Sequence, residues 1–167
     1  MHELAITVIG PDRTGIVADV AEALAGVGAN LTDSTMTRLR GHFTMTLICN
    51  GPSLVEAREA LSGLVDVVWE VRSVSPESDK SDKGQPYVVS VHGADRLGIV
   101  SAVTRVVSAA GGNITDLSTR LTGTLYVLIA EIDLADGAAE ELAEQLAVAA
   151  AELGVEVSLR HADSELL

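Results

Sequence analysis

Eight residues, GPDRTGIV at positions 10–17, return 83 positions later as GADRLGIV at 93–100. The residue types in both copies suit the capture of a carboxylate. An Asp-Arg pair is followed by Gly and then by the first apolar residues of a helix. The free N–H groups and dipole of a helix start attract anions. Arg13 and Arg96 each add a planar fork of donors. Asn30 and Asn113, also 83 apart, bring both a donor and an acceptor. Gly10 and Gly93 permit backbone angles that a side chain resists. Gly15 and Gly98 fall in the first helical turn, where Gly costs helix stability, and close approach of a ligand or backbone would explain them. A plainer reading uses the same residues. Asp12 or Asp95 caps a helix, Asp-Arg forms a surface ion pair, and Asn serves as a turn residue.

No pattern of catalytic residues accompanies the repeat. The four histidines, His2, His42, His92 and His161, are scattered. H-E-x-x-H, G-x-S-x-G and the phosphate-binding G-x-x-x-x-G-K-[ST] are all missing. A pairing of His92 with Asp95 is conceivable, without support from the sequence. The single cysteine, Cys49, excludes an internal disulfide and a cysteine-cluster metal site. It follows Phe43, Met45 and Leu47 at alternate positions, as a buried strand thiol does. No metal and no cofactor is implied. The net charge of −13 repels phosphate, which argues against direct nucleic-acid binding. The start MHELAITV lacks a cationic leader, and no apolar run approaches a membrane span. The expectation is a soluble cytoplasmic protein.

The elements that must position these residues follow from periodicity. Residues 4–9 form a β-rich run ending at Gly-Pro. Ile16, Val17, Val20, Ala21, Leu24 and Val27 mark one helix face, with Gly26 and Gly28 as the stop. Residues 31–40 and 43–49 read as a hairpin around Gly41-His42. Residues 53–64 read as a helix opened by a Ser53–Glu56 capping box, and 65–74 as a strand. The order is β-α-β-β-α-β. Charged, Pro-flanked residues 76–86 read as a linker, and the second half repeats the first. Its strands cover 87–91, 113–121, 124–132 and 155–160, with helices led by Ile99 and spanning 137–154. No gap interrupts the correspondence over roughly forty residues. The domains are therefore 1–75 and 87–161, with a frayed tail at 162–167. The fold class is α+β, two ferredoxin-like units of antiparallel sheet with helices on one face. Only four residues, Phe43, Trp69, Tyr87 and Tyr126, are aromatic, so the cores must be aliphatic.

The run G-x-D-R-x-G-I-V, followed by Asn-[LI]-Thr-Asp at 30–33 and 113–116, resembles the ACT domain, a small regulatory module that senses amino acids. Two such units and little else resemble the glycine cleavage system transcriptional repressor family. The first unit also resembles the regulatory domain of formyltetrahydrofolate deformylase, whose catalytic domain has no room here. The resemblance implies a ligand at an interface between two units, held by the first strand-helix loop and the end of the first helix. The implied site residues are Gly10, Asp12, Arg13, Gly15 and Asn30, with Gly93, Asp95, Arg96, Gly98 and Asn113. It implies a small amino acid such as glycine or serine as effector, a regulatory protein as partner, and a homodimer. Two departures, His92 for Ile9 and Ala94 for Pro11, imply that the two sites are not equivalent. The leading expectation is a non-catalytic amino-acid-sensing regulator. The alternative is a ligand-free ACT interaction module whose loops only fix an interface.

Overall fold

A computed structural model describes residues 2–75 and 84–162. Most of the expected linker, residues 76–83, and the tail from 163 onward lie outside the described residues. The chain divides into two compact units, Met1–Asp79 and Lys80–Leu167.

The first unit runs β1 (Glu3–Pro11), α1 (Ile16–Ala25), β2 (Asn30–Leu39), β3 (His42–Asn50), α2 (Leu54–Ser62) and β4 (Val68–Val74). The second runs β5 (Gln85–Ala94), α3 (Ile99–Ala109), β6 (Asn113–Thr122), β7 (Leu125–Leu134), α4 (Ala139–Leu153) and β8 (Glu156–His161). Each unit is therefore the expected βαββαβ. Strand orders are β2-β3-β1-β4 and β6-β7-β5-β8, and every pairing is antiparallel.

Period-two alternation in the strands produces one buried face per sheet. Leu4, Ile6 and Val8 of β1 and Phe43, Met45, Leu47 and Cys49 of β3 are all buried. They meet Ile16, Val20 and Leu24 of α1 and Ala57 and Leu61 of α2 in one core. The second core repeats this with Val89, Val91, Leu128, Ala130 and Ile132 against Ile99, Val103, Val107, Leu142 and Leu146. Both are mainly aliphatic, with Phe43 fully buried in the first and Trp69, Tyr87 and Tyr126 packed at the margins. Burial pushes the Cys49 thiol up from its ordinary value and keeps it protonated.

Helix ends agree with local chemistry in part. The Ser53 hydroxyl accepts the Glu56 amide at 3.2 Å, and the Glu56 carboxylate accepts the Ser53 amide at 2.8 Å. That is the expected capping box. Asp12 does not cap α1. The N-cap is Gly15, in the left-handed region at φ 86, and no side chain bonds the helix start. Gly98 does the same for α3 at φ 89. Of the two glycines expected to stop α1, Gly26 keeps right-handed angles. Gly28, at φ 79, makes the turn. Its amide donates to Ala25 O, and the Ala29 amide donates to Leu24 O, which is the Schellman pattern.

The first hairpin turns on Arg40-Gly41, with φ values of 49 and 76. His42 already pairs with Leu39, because two positive φ values make the tight turn that suits strand twist. Similarly, β5 begins at Gln85, which pairs with Leu134, inside the stretch read as linker.

Candidate functional site

The β1–α1 and β5–α3 loops hold most of the carboxylate-binding residue types. Gly10 and Gly93 are needed for space rather than for unusual backbone angles. A β-carbon on Gly10 would stand 2.6 Å from Asp66 O and 3.0 Å from Val67 Cγ1. On Gly93 it would meet Val155 Cγ1 at 3.0 Å. The loop before each second-unit or first-unit end strand thus packs onto the last residue but one of β1 or β5. Gly15 and Gly98 carry the positive φ instead, and β-carbons there would make only ordinary contacts, with Arg13 Nη1 at 4.0 Å and Ser101 Oγ at 3.7 Å. Close approach therefore explains the first glycine of each loop and backbone conformation the second, the reverse of the sequence reading.

The two Asp-Arg pairs are used differently. Asp12 accepts Arg38 Nη1 at 3.3 Å, and its amide donates to Gly41 O at 2.9 Å. These bonds tie the loop to the hairpin tip. Arg13 Nη2 reaches Asp19 Oδ2 at 2.6 Å on the first turn of α1. At the offset of 83, Ala102 replaces Asp19 and Leu121 replaces Arg38. Arg96 turns instead to the end of α4, where Nη1 donates to Leu153 O at 2.8 Å. A cation suits that position, since a helix ends in unpaired carbonyls. His92 pairs with Glu156, Nε2 to Oε2 at 2.8 Å, and not with Asp95.

Asn30 and Asn113 are exposed and open β2 and β6. Asn30 stands opposite Asn50, which also pairs with Glu3 at the start of β1. The loop leaves from Pro11, opposite His42, at the other end of the same strands. At about 3.3 Å per residue, roughly 25 Å separates the loop from the asparagine within one unit. Each loop is brought together as a cluster, and neither asparagine joins it from its own unit.

A cleft of about 420 Å³ opens at the second loop, lined by Asp95, Arg96, Leu97, Gly98, Ile99, Val100, Ser101 and Tyr126. The first turn of α3 faces it without a side-chain cap, so backbone N–H groups and the dipole are available to an anion. Leu97, Val100 and Tyr126 give it an apolar wall. Tyr126 was visible in the sequence only as the hydroxyl-bearing counterpart of buried Phe43. A larger cleft, about 720 Å³, lies in the first unit against His2, Asn50, Pro52, Ser53 and Glu56. Its helix start is already occupied by the Glu56 carboxylate, whose pKa the Ser53 amide and hydroxyl lower. A second carboxylate would meet like charge there, so the size of this cleft does not make it the better anion site. Among the described residues, no group of His, Cys, Asp and Glu is placed to hold a metal ion. No helix there is long and apolar enough to cross a membrane.

Two ferredoxin-like units, each with a glycine-capped helix after its first strand, define the class as a tandem α+β module protein. The chain belongs to the ACT domain family, whose pattern matches residues 2–66 and 85–160. A protein of unknown function from Galdieria sulphuraria shares the whole two-unit architecture. Its TM-score is 0.84 at 29% identity, over 97% of this chain and 99% of that one. A candidate glycine cleavage system transcriptional repressor has the same fold, with a TM-score of 0.71 at 23% identity over 96% and 97%. A UPF0237 protein of Methanopyrus kandleri is 40% identical over 78 residues, 46% of this chain and 87% of its own length.

Proposed function

We propose that this chain is a non-catalytic cytoplasmic regulatory protein that senses a small amino acid and passes the signal to a protein partner. The observation that carries the reading is the cleft at the β5–α3 loop. It pairs an uncapped helix start, suited to a carboxylate, with the nearby carboxylate of Asp95, suited to an ammonium group. Its volume of about 420 Å³ has room for a free amino acid. Glycine and serine are the first ligands to test, on family resemblance. An asparagine at the opposite end of the sheet reaches such a ligand only from an associated ACT unit. On family resemblance, the reading includes a homodimer. Regulation then needs no chemistry, only a ligand that prefers one packing of the protein over another. The shift cannot exceed that difference in affinity. The net charge of −13 supports contact with a regulatory protein rather than with nucleic acid.

One observation favours the alternative, a ligand-free interaction module. Both loop arginines already have partners inside their own units. A thermal-shift screen against the twenty amino acids separates the two. A ligand at a hundred times its Kd adds about 2.7 kcal/mol to the folded state. Leu97 is fully exposed and lines the cleft, so Leu97→Glu places a like charge beside the bound carboxylate without disturbing a core. Expected is a raised midpoint with one or two small amino acids, lost in Leu97→Glu and weakened in Asn113→Ala. A flat response from well-folded protein at millimolar ligand would leave the interaction module.

A further inference from the structure

Asn50 is followed by Gly51, and the first unit needs that glycine. A β-carbon at position 51 would collide with the carbonyl oxygen of Gly28. The φ of 114 there also disfavours a side chain. An asparagine before glycine is chemically labile, because no side chain shields the following amide. The chain holds three asparagines, Asn30, Asn50 and Asn113. Asn30 and Asn113 are the more exposed, yet each is followed by a bulky residue within its own strand, Leu31 or Ile114. Half-buried Asn50 is the last residue of β3, so the Gly51 amide lies beyond the ladder. That amide has no backbone partner among the described residues. Asn50 and Gly51 both line the first-unit cleft of about 720 Å³, which admits water and leaves the side chain room to turn.

We infer that Asn50 is a site of spontaneous modification, losing its amide with age and leaving a carboxylate that loosens the end of the first sheet. The step needs only water. The Gly51 nitrogen, giving up its proton, attacks Asn50 Cγ. A C–N bond forms, the bond to the side-chain nitrogen breaks, and ammonia leaves with the proton. Water then adds to either carbonyl of the cyclic imide. One opening yields aspartate. The other yields isoaspartate, with the main chain rerouted through the side chain. The consequence follows from register. Asn50 stands opposite Glu3 on β1 and Asn30 on β2. Directly opposed side chains sit about 5 Å apart, where like charges repel. A carboxylate at position 50 therefore meets Glu3, with Glu56 on the same cleft. The second unit holds a carboxylate at this place without the conflict. At the offset of 83, Asp133 replaces Asn50, Leu134 replaces Gly51 and Pro86 replaces Glu3. Asp133 pairs with Pro86 and Asn113, so nothing acidic stands directly opposite it. The site is independent of the sensing role, since neither the chemistry nor the repulsion needs a ligand.

The test ages the full chain in warm, mildly alkaline buffer, where the amide proton is lost most easily. Trypsin places the asparagines on separate peptides, 14–38, 41–58 and 106–120. Mass spectrometry is expected to show the acid form, as aspartate and isoaspartate, accumulating in 41–58 ahead of the other two. An equal amount of ammonia should be released, and Asn50→Gln should lose that release. Conversion of 41–58 in urea but not in the folded protein would show that the sheet protects Asn50, and would overturn the site. Equal conversion of all three peptides would do the same. The effect on the sheet is read separately, from the melting midpoints of Asn50→Asp, Glu3→Gln and the double variant. Asn50→Asp is expected to melt a few degrees below the wild type, and Glu3→Gln to restore most of the loss. If Asn50→Asp melts with the wild type, the loosening is overturned. A loss that Glu3→Gln leaves untouched overturns the repulsion as its cause.

Discussion

The carbonyl oxygen of Asp66 lies 2.6 Å from the point that a β-carbon on Gly10 would occupy. The contact pins the end of β1 against the loop that leads from α2 into β4. A methyl group there forces backbone to move, because no flexible side-chain tip can yield. Gly10→Ala is expected to cost about 1–3 kcal/mol. Gly15→Ala should cost about 1–2 kcal/mol for a different reason, its left-handed φ of 86. Asparagine tolerates that region, so Gly15→Asn should recover part of the loss, while Gly10→Asn should be worse than Gly10→Ala. Urea midpoints of the four variants decide; the same ranking at both positions would refute the distinction.

Asp66 itself has φ 62. In the second unit the residue before the corresponding valine, Val155, is Gly154, at φ 67. One unit meets the requirement with glycine and the other with a residue that resists it. Asp66→Gly is expected to stabilise the first unit by about 0.5–1 kcal/mol, the relief of a left-handed side chain less the entropy of the added glycine. A lower melting midpoint in the variant would contradict this.

The two loop arginines should differ on removal. Arg96 donates to backbone carbonyls at the end of α4, so Arg96→Ala should cost about 1 kcal/mol; salt screens the helix-end charge attraction and leaves the hydrogen bond. Arg13 and Asp19 are each about two-fifths exposed, and such a pair contributes only about 0–1 kcal/mol. The effect of Arg13→Ala should fade in about 1 M NaCl, where screening reaches ~3 Å. Urea unfolding of both variants at low and high salt is the comparison; equal salt sensitivity would count against these roles.

Glu56 gives the stability a pH dependence. The Ser53 amide and hydroxyl hold its carboxyl below the ordinary value in the folded chain. A depressed folded pKa stabilises above the unfolded value, about 4.3 for glutamate. That contribution is lost as pH falls from there through the lowered folded value. Glu56→Gln should flatten the melting midpoint across this acid window and match the wild-type slope near neutrality. Parallel profiles throughout would show that the capping box carries no proton linkage.

Much of the fold was legible because its signals are local. The alternation Phe43, Met45, Leu47, Cys49 placed one face of β3, since successive side chains on a strand point to opposite faces. Ser53 and Glu56 marked the start of α2 because both halves of that box lie within one turn. The repeat at 83 doubled every such signal and disclosed two units. It also pointed to the loops at Gly10–Gly15 and Gly93–Gly98 as the positions worth attention.

Tertiary structure decided what those loop residues do. Gly10 meets Asp66, Arg38 meets Asp12, and Arg96 meets Leu153, all across tens of residues of chain. No local period encodes such contacts. Identical dipeptides at 12–13 and 95–96 therefore acquired different partners, because Asp19 and Arg38 have no counterparts in the second unit. Strand register then set Asn30 and Asn113 at the far end of each sheet from their loops. The sequence determined two ACT units and the residue types at their loops. Only the packing of distant strands and helices determined which of those residues face one another.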